Sequence, residues 1–282
     1  MKRATRRFMP GEHANDALEA GAAIAESGRG LIFTQLGEAI TSSEAAVAVR
    51  DHYLGLFDRI RARTLPAQVS VKPTQLGLDL SFAECERNLQ ALGAKAEATG
   101  SALWLDMEDS SYVDRTLDLY VALKRNHAST GIALQAYLRR TPEDLSRLMP
   151  LAPAIRLVKG AYDEPREIAF EKKRDTDHAY YTLASQLLDA ARTGGCSPVF
   201  GTHDLALLAR IAERAAASGV GKDNYQIHML YGIRDSAQSR LVAEGHIVKT
   251  LISYGAAWYR WYMRRLAERP ANILFVVKSM FA

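Results

Sequence analysis

Residues 132–158 read IALQAYLRRTPEDLSRLMPLAPAIRLV. Two short apolar runs, Ile132–Ala136 and Ile155–Val158, flank a helical stretch over 142–149. A connection of this length is too long for a hairpin, so the two runs read as parallel strands joined by a helical crossover. The same unit recurs outward in both directions. Toward the N-terminus the apolar runs are Gly30–Phe33, Gln68–Val71 and Ala102–Leu105, and toward the C-terminus Val199–Phe200, Tyr225–Leu230 and Ile247–Ile252. Helical stretches alternate with them near 42–62, 82–99, 111–128, 175–193, 204–218, 234–245 and 258–269. Eight strand-helix units are the number that closes a (β/α)8 barrel. A doubly wound open sheet is disfavoured, because no GxGxxG follows the first strand and no GxxxxGK[ST] occurs anywhere.

Two helices frame the repeat. Residues 8–30 are Ala-rich, with Ala14, Leu18, Gly21 and Ala22 at helical spacing, and Gly28 and Gly30 end the segment. At the other end Trp258–Asn272, WYRWYMRRLAERPAN, forms a helix stopped by Pro270, with Trp261, Arg264, Arg265 and Glu268 on one side. Taken alone, that side suits either a small carboxylate held against a flat ring or a solvated surface with an aromatic stripe in the core. No linker-like or low-complexity stretch divides the chain, so a single domain over 1–282 is expected.

Composition narrows the class. The 282 residues are 48% hydrophobic and 24% charged, ordinary for a globular protein. A net charge of +4 from 36 cations and 32 anions is too small an imbalance to argue for nucleic acid as a partner. Cys85 and Cys196 fit no metal-ligand spacing and suggest a reducing compartment rather than a disulfide. There is no signal peptide and no run of about 18 apolar residues, so a cytoplasmic protein is expected, with at most peripheral contact at the inner membrane face.

In such a barrel the active site lies at the C-terminal ends of the strands, and here those ends are loaded with polar residues. They comprise Gln35, Gly37 and Glu38; Lys72; Asp106, Glu108 and Asp109; Gln135; Arg156, Lys159 and Tyr162; Thr202, His203 and Asp204; and His228. A soluble barrel has no structural need for so many ionisable groups around one mouth, since buried charges must be paired. Lys72, Arg156, Arg264 and Arg265 outnumber Asp106 and Glu38, which points to an anionic ligand such as a carboxylate or pyrophosphate. No metal-ligand cluster and no serine nucleophile elbow is present, and no metal is expected. Lys159 at a strand end keeps a Schiff-base mechanism open.

The strand-5 sequence RLVKGAY (156–162) resembles the proline dehydrogenase family of flavoenzymes. LGE (36–38), VSVKPTQLGLDL (69–80), LDMED (105–109), LQAY (134–137), FGTHD (200–204), MLYG (229–232) and YMRRLAERPAN (262–272) extend the resemblance over nearly the whole chain, in order. The resemblance implies a distorted (β/α)8 barrel, FAD as cofactor, and a C-terminal helix covering the site. It also implies hydride transfer from the carbon beside a secondary amine to flavin N5, with pyrroline-5-carboxylate as product and a quinone (or oxygen) as electron acceptor. It assigns Gln135 to the flavin ring edge and Arg156 to the N5 region, where cationic donors stabilise the reduced ring. Lys159, Gly160, Ala161 and Tyr162 would line the cofactor, and Thr202, His203 and Glu268 would contact its ribityl, pyrophosphate or adenosine parts. Arg264, Arg265 and Lys72 would bind the substrate carboxylate, with Asp106 balancing the cluster and Glu38 pairing with Arg264 as a gate.

Four positions depart from the pattern. Leu251, in LISYG, and Trp261, in WYMRR, stand where the family has tyrosines against the proline ring; His228 stands where a glutamine is usual, and Pro73 follows Lys72 where an apolar residue is usual. Leu251 and Trp261 replace two hydroxyls and change the volume over the substrate ring. The alternatives to proline oxidation are therefore the same flavin chemistry on a substituted proline or an N-substituted or N-amino amino acid, a Schiff-base lyase using Lys159, and a flavin-binding relative without turnover.

Overall fold

The computed structural model describes residues 8–37 and 40–257. Eight strands, β1 (Gly30–Gln35), β2 (Ala67–Val71), β3 (Leu103–Leu105), β4 (Thr130–Gln135), β5 (Ala154–Val158), β6 (Ser197–Gly201), β7 (Gln226–Leu230) and β8 (Ile247–Tyr254), close in sequence order into a barrel. All neighbours are parallel, and closure runs from Gly30↔Lys249 to Gln35↔Tyr254 between β1 and β8. The crossovers carry α2 (Ser43–Ala62), α3 (Phe82–Ala98), α4 (Val113–Asn126), α5 (Thr141–Leu148), α6 (Lys173–Ala191), α7 (Leu205–Ala217) and α8 (Asp235–Ala243), after a leading α1 (Ala14–Ala25). This is the (β/α)8 barrel that the strand count implied. The expected C-terminal helix at 258–269 lies outside the described residues, as does the start of the chain at 1–7.

The leading helix is shorter than the span over 8–30. Its start is set by the His13 N–H donating to the Asp16 carboxylate at 3.0 Å, and its end by a turn in which Gly28 takes a left-handed φ of 79°. Gly30 no longer belongs to that end; it opens β1.

Most of the core lies between the strands and the helical ring, where Leu31, Phe33, Val69, Leu103, Leu157 and Phe200 meet residues such as Phe57, Leu89, Leu117, Tyr180 and Leu208. The barrel lumen is packed differently. Trp104 of β3 crosses it to meet His228 of β7 edge-on at 5.5 Å, donates its indole N–H to Gln68 of β2 at 2.8 Å, and sits 5.1 Å under the Arg156 guanidinium of β5. β3 and β7 are opposite one another in the closed order, so only a lumen-facing ring reaches both. Gly131 of β4 makes the room, since a Cβ there would lie 2.4 Å from the Trp104 ring.

Gly131→Ala therefore overpacks a ring held on three sides. It should cost about 1–3 kcal/mol, read as a lower guanidinium midpoint with an unchanged m-value. A midpoint within error of the wild type would show that the indole can move.

Candidate active site

A cavity of about 290 Å³ opens at the C-terminal ends of the strands, and all eight strands or the residues just after them contribute to its wall. At its floor Arg156, projecting from β5, is almost fully buried. It pairs with Asp106, and its Nη2 donates to Ser70 Oγ at 2.9 Å, while Ser70 Oγ donates onward to Asp106 Oδ1 at 2.9 Å. The three side chains close a triangle across β2, β3 and β5. A guanidinium out of water costs several kcal/mol unless paired and hydrogen-bonded, and burial pushes this one below its ordinary pKa despite Asp106. Its other terminal nitrogen, Nη1, is buried without an acceptor among the described residues, as is Gln135 Oε1 without a donor.

Lys72, just after β2, is also buried and lines the cavity, yet no carboxylate among the described residues reaches ion-pair distance. Its acidic neighbour is Glu108, which receives the Thr74 hydroxyl at 2.6 Å and the Thr74 N–H at 3.1 Å. Burial pushes the Glu108 carboxyl up to about 7 against those hydrogen bonds and the attraction of Lys72. With Arg156 neutralised by Asp106, Lys72 leaves the described part of the mouth with a cation for a carboxylate.

Lys159 is placed otherwise. Its ammonium binds Asp177 and, at 2.8 Å, Asp204; Lys173 joins the same two carboxylates. Burial pushes Asp204 up, but the hydrogen bonds from Lys159 and the Leu207 N–H outweigh it and hold the carboxyl near its floor, at about 2. An amine donating to two carboxylates has no lone pair to offer a carbonyl, which weighs against the Schiff-base alternative. Gly160 follows with φ 117°, and a Cβ there would strike the Tyr137 ring at 2.1 Å; the tight path brings Ala161 and Tyr162 to the cavity wall. His203 lines the cavity too. The Leu230 N–H donates to its Nε2 at 2.9 Å, so the ring proton sits on Nδ1, and burial with Arg234 nearby pushes the imidazole down to about 4. Thr202 does not line the cavity; its hydroxyl accepts the Asp204 N–H at 3.2 Å instead.

The cavity thus brings together Lys72, Asp106, Gln135, Arg156, Lys159, Gly160, Ala161, Tyr162, His203 and Leu251. Trp261, Arg264, Arg265, Glu268 and Glu38 lie outside the described residues. His228 is buried at the wall with Nε2 3.2 Å from Gln226 Oε1 and Nδ1 without a partner among the described residues, and burial, Arg156 and Lys249 keep it neutral. Sequence reasoning missed Ser70, Asp177 and the wall residue Thr34. Ser70 could have been found from the two-residue strand period, which turns it the same way as Lys72. Asp177, on α6, carries no local signal.

A sequence model of the proline dehydrogenase family matches residues 17–278. The chain belongs to that family. Proline dehydrogenase 1 of Bacillus subtilis (strain 168) is 34% identical over 276 residues, covering 98% of this chain and 90% of the relative. The proline dehydrogenase of Deinococcus radiodurans is 35% identical over 283 residues, covering 97% and 89%. Among solved structures, proline utilization A from Bdellovibrio bacteriovorus, inactivated by N-propargylglycine, superposes with a TM-score of 0.84 at 24% identity. That likeness concerns the fold; it covers 90% of this chain but 31% of the larger protein. FAD is the cofactor of the family, and the cavity suits it. A flavin edge carries both N–H donors and N or C=O acceptors, the complement of Gln135 Oε1 and Arg156 Nη1, which lack partners among the described residues and belong to residues lining the cavity.

Because His203 is neutral when folded, acid favours the unfolded chain, where the imidazole titrates normally. Its contribution is present above about 6.5 and is lost as pH falls through about 4. Across that window the wild type should lose thermal stability relative to His203→Gln. Parallel pH profiles for the two proteins would contradict the assignment.

Proposed function

We propose that the protein is an FAD-dependent dehydrogenase that oxidises L-proline to pyrroline-5-carboxylate. When bound, FAD supplies the hydride acceptor for the carbon beside the substrate amine and passes the electrons to a quinone. The observation that carries the proposal is the combination, in residues lining one cavity, of a buried lysine without an ion-pair partner and an acceptor and a donor without hydrogen-bond partners among the described residues. Lys72 holds the substrate carboxylate, joined on sequence grounds by Arg264 and Arg265. Gln135 and Arg156 hold the edge of the ring. Asp106 and Ser70 keep the Arg156 guanidinium in the plane where one nitrogen stays free for the ligand. The substrate nitrogen must be neutral to become an imine, and the described wall offers it cations, so the amine sheds its proton to solvent and turnover rises with pH. Contact with a quinone at the inner membrane face is part of the proposal; among the described residues no helix is long and apolar enough to cross a membrane.

One observation favours a second substrate class. Leu251 lines the cavity where the family places a tyrosine, and His228 brings a neutral imidazole to the same wall. Both change what the substrate ring meets while leaving Lys72 in place. The alternative is therefore the same chemistry on a substituted proline or an N-substituted or N-amino amino acid.

Anaerobic bleaching of the flavin by proline, hydroxyproline, pipecolate and N-alkyl or N-amino glycines separates the two. Bleaching by proline at low concentration supports the first and defeats the second, and a protein that cannot be loaded with FAD sinks both. Lys72→Met should lower kcat/KM by roughly 10- to 100-fold for whichever carboxylate is used, chiefly through KM, as expected for loss of one charge-assisted contact.

A further inference from the structure

The opposite end of the barrel carries a second cavity, of about 710 Å³. Its walls are the N-terminal ends of β8, β1 and β2 and the turn leading into β3, so it shares no residue with the cavity at the strands' C-terminal ends. Three basic side chains line it, Arg61, His246 and Lys249, and no Asp or Glu does. Lys249 is the central one. It leaves β8 beside Gly30, where a Cβ would come within 2.8 Å of the lysine stem, so the glycine is what lets the side chain run inward. Lys249 is half-buried, and burial pushes its ammonium down to about 8 with no acid among the described residues opposing the shift. Above it, Gln68 commits its carbonyl oxygen to the Trp104 indole at 2.8 Å, which leaves its amide N–H groups for the cavity it lines.

A partly desolvated cation with no carboxylate beside it among the described residues favours a ligand that supplies the counter-charge. Arg61 and Lys249 with no carboxylate among the lining residues favour an oxyanion, and a cavity this large admits more than a lone ion. We propose that this N-terminal cavity is a second small-molecule site, which takes the oxyanion head of a ligand, carboxylate or phosphate, on the Lys249 ammonium with Gln68 as a further donor. The site lies apart from Lys72 and does not depend on the flavin chemistry.

Thermal unfolding of the purified full-length protein, at constant ionic strength in chloride, tests it with inorganic phosphate and acetate titrated separately. A saturable rise in Tm is expected with at least one of them, and which one responds identifies the head group. In Lys249→Met the half-saturating concentration should rise about tenfold or more, the effect of removing one charged hydrogen-bond donor, while Lys72→Met keeps the wild-type midpoint. The proposal is overturned if neither anion gives a saturable response, if Lys249→Met keeps the midpoint, or if Lys72→Met is the variant that loses it. Should Lys249→Met not fold, the wild type answers alone. Acetylation of Lys249, followed by peptide mass spectrometry, should slow about tenfold at saturating anion relative to chloride, and an unchanged rate overturns the proposal.

Discussion

The structure depends on keeping one guanidinium charged in the middle of a barrel. Arg156 has Asp106 and Ser70 as partners, the Trp104 ring under its guanidinium and one buried terminal nitrogen without an acceptor among the described residues. These contacts join β2, β3 and β5, so the ion pair also ties non-adjacent staves of the barrel together. A buried ion pair is weak support for stability, because desolvation cancels much of the attraction. Its role here is better understood as positioning. The pair aims a donor that nothing else in the described protein satisfies, and that is the condition a bound ring edge would relieve.

Charge around the mouth is divided rather than pooled. Lys159 is bound by Asp177 and Asp204, with Lys173 completing a four-membered network at the rim. That network ties Lys159, the residue before Gly160, to Asp177 of α6 and to Asp204 at the start of α7. Lys72 has no direct partner among the described residues, with Glu108, held by Thr74, as its acidic neighbour. Three cations around the mouth thus stand in three settings: Arg156 is paired with Asp106, Lys159 with two carboxylates, and Lys72 with none among the described residues.

The lumen has a floor between its two ends. Trp104, Gln68 and His228 form a layer across it, with Arg156 on the side of the C-terminal cavity and Lys249 approaching His228 from the other. Burial keeps His228 neutral between the two cations, which avoids a third like charge in the same column. The family resemblance speaks only to the upper side of that floor.

Much of the fold was legible in the residues themselves. Every apolar run became a strand and every described crossover helix lies within a few residues of its expected span, because strand and helix periods are properties of consecutive residues; the leading helix is shorter than the expected 8–30. The list of ionisable groups at the mouth was legible for the same reason, since position at a strand's end follows from the count. What only the tertiary structure decided was pairing. Ser70 and Arg156 are 86 residues apart in sequence, and Lys159 and Asp204 are 45 apart; no local pattern says which cation a given carboxylate will neutralise. Lys159, expected to line the cofactor with a Schiff-base role left open, is ion-paired to Asp177 and Asp204; Lys72 looked like one cation among several and is the one without a described partner; and Lys249 carried no local signal. A residue's charge is written in the chain, but whether that charge is available depends on distances across the barrel, which exist only once the eight strands have closed.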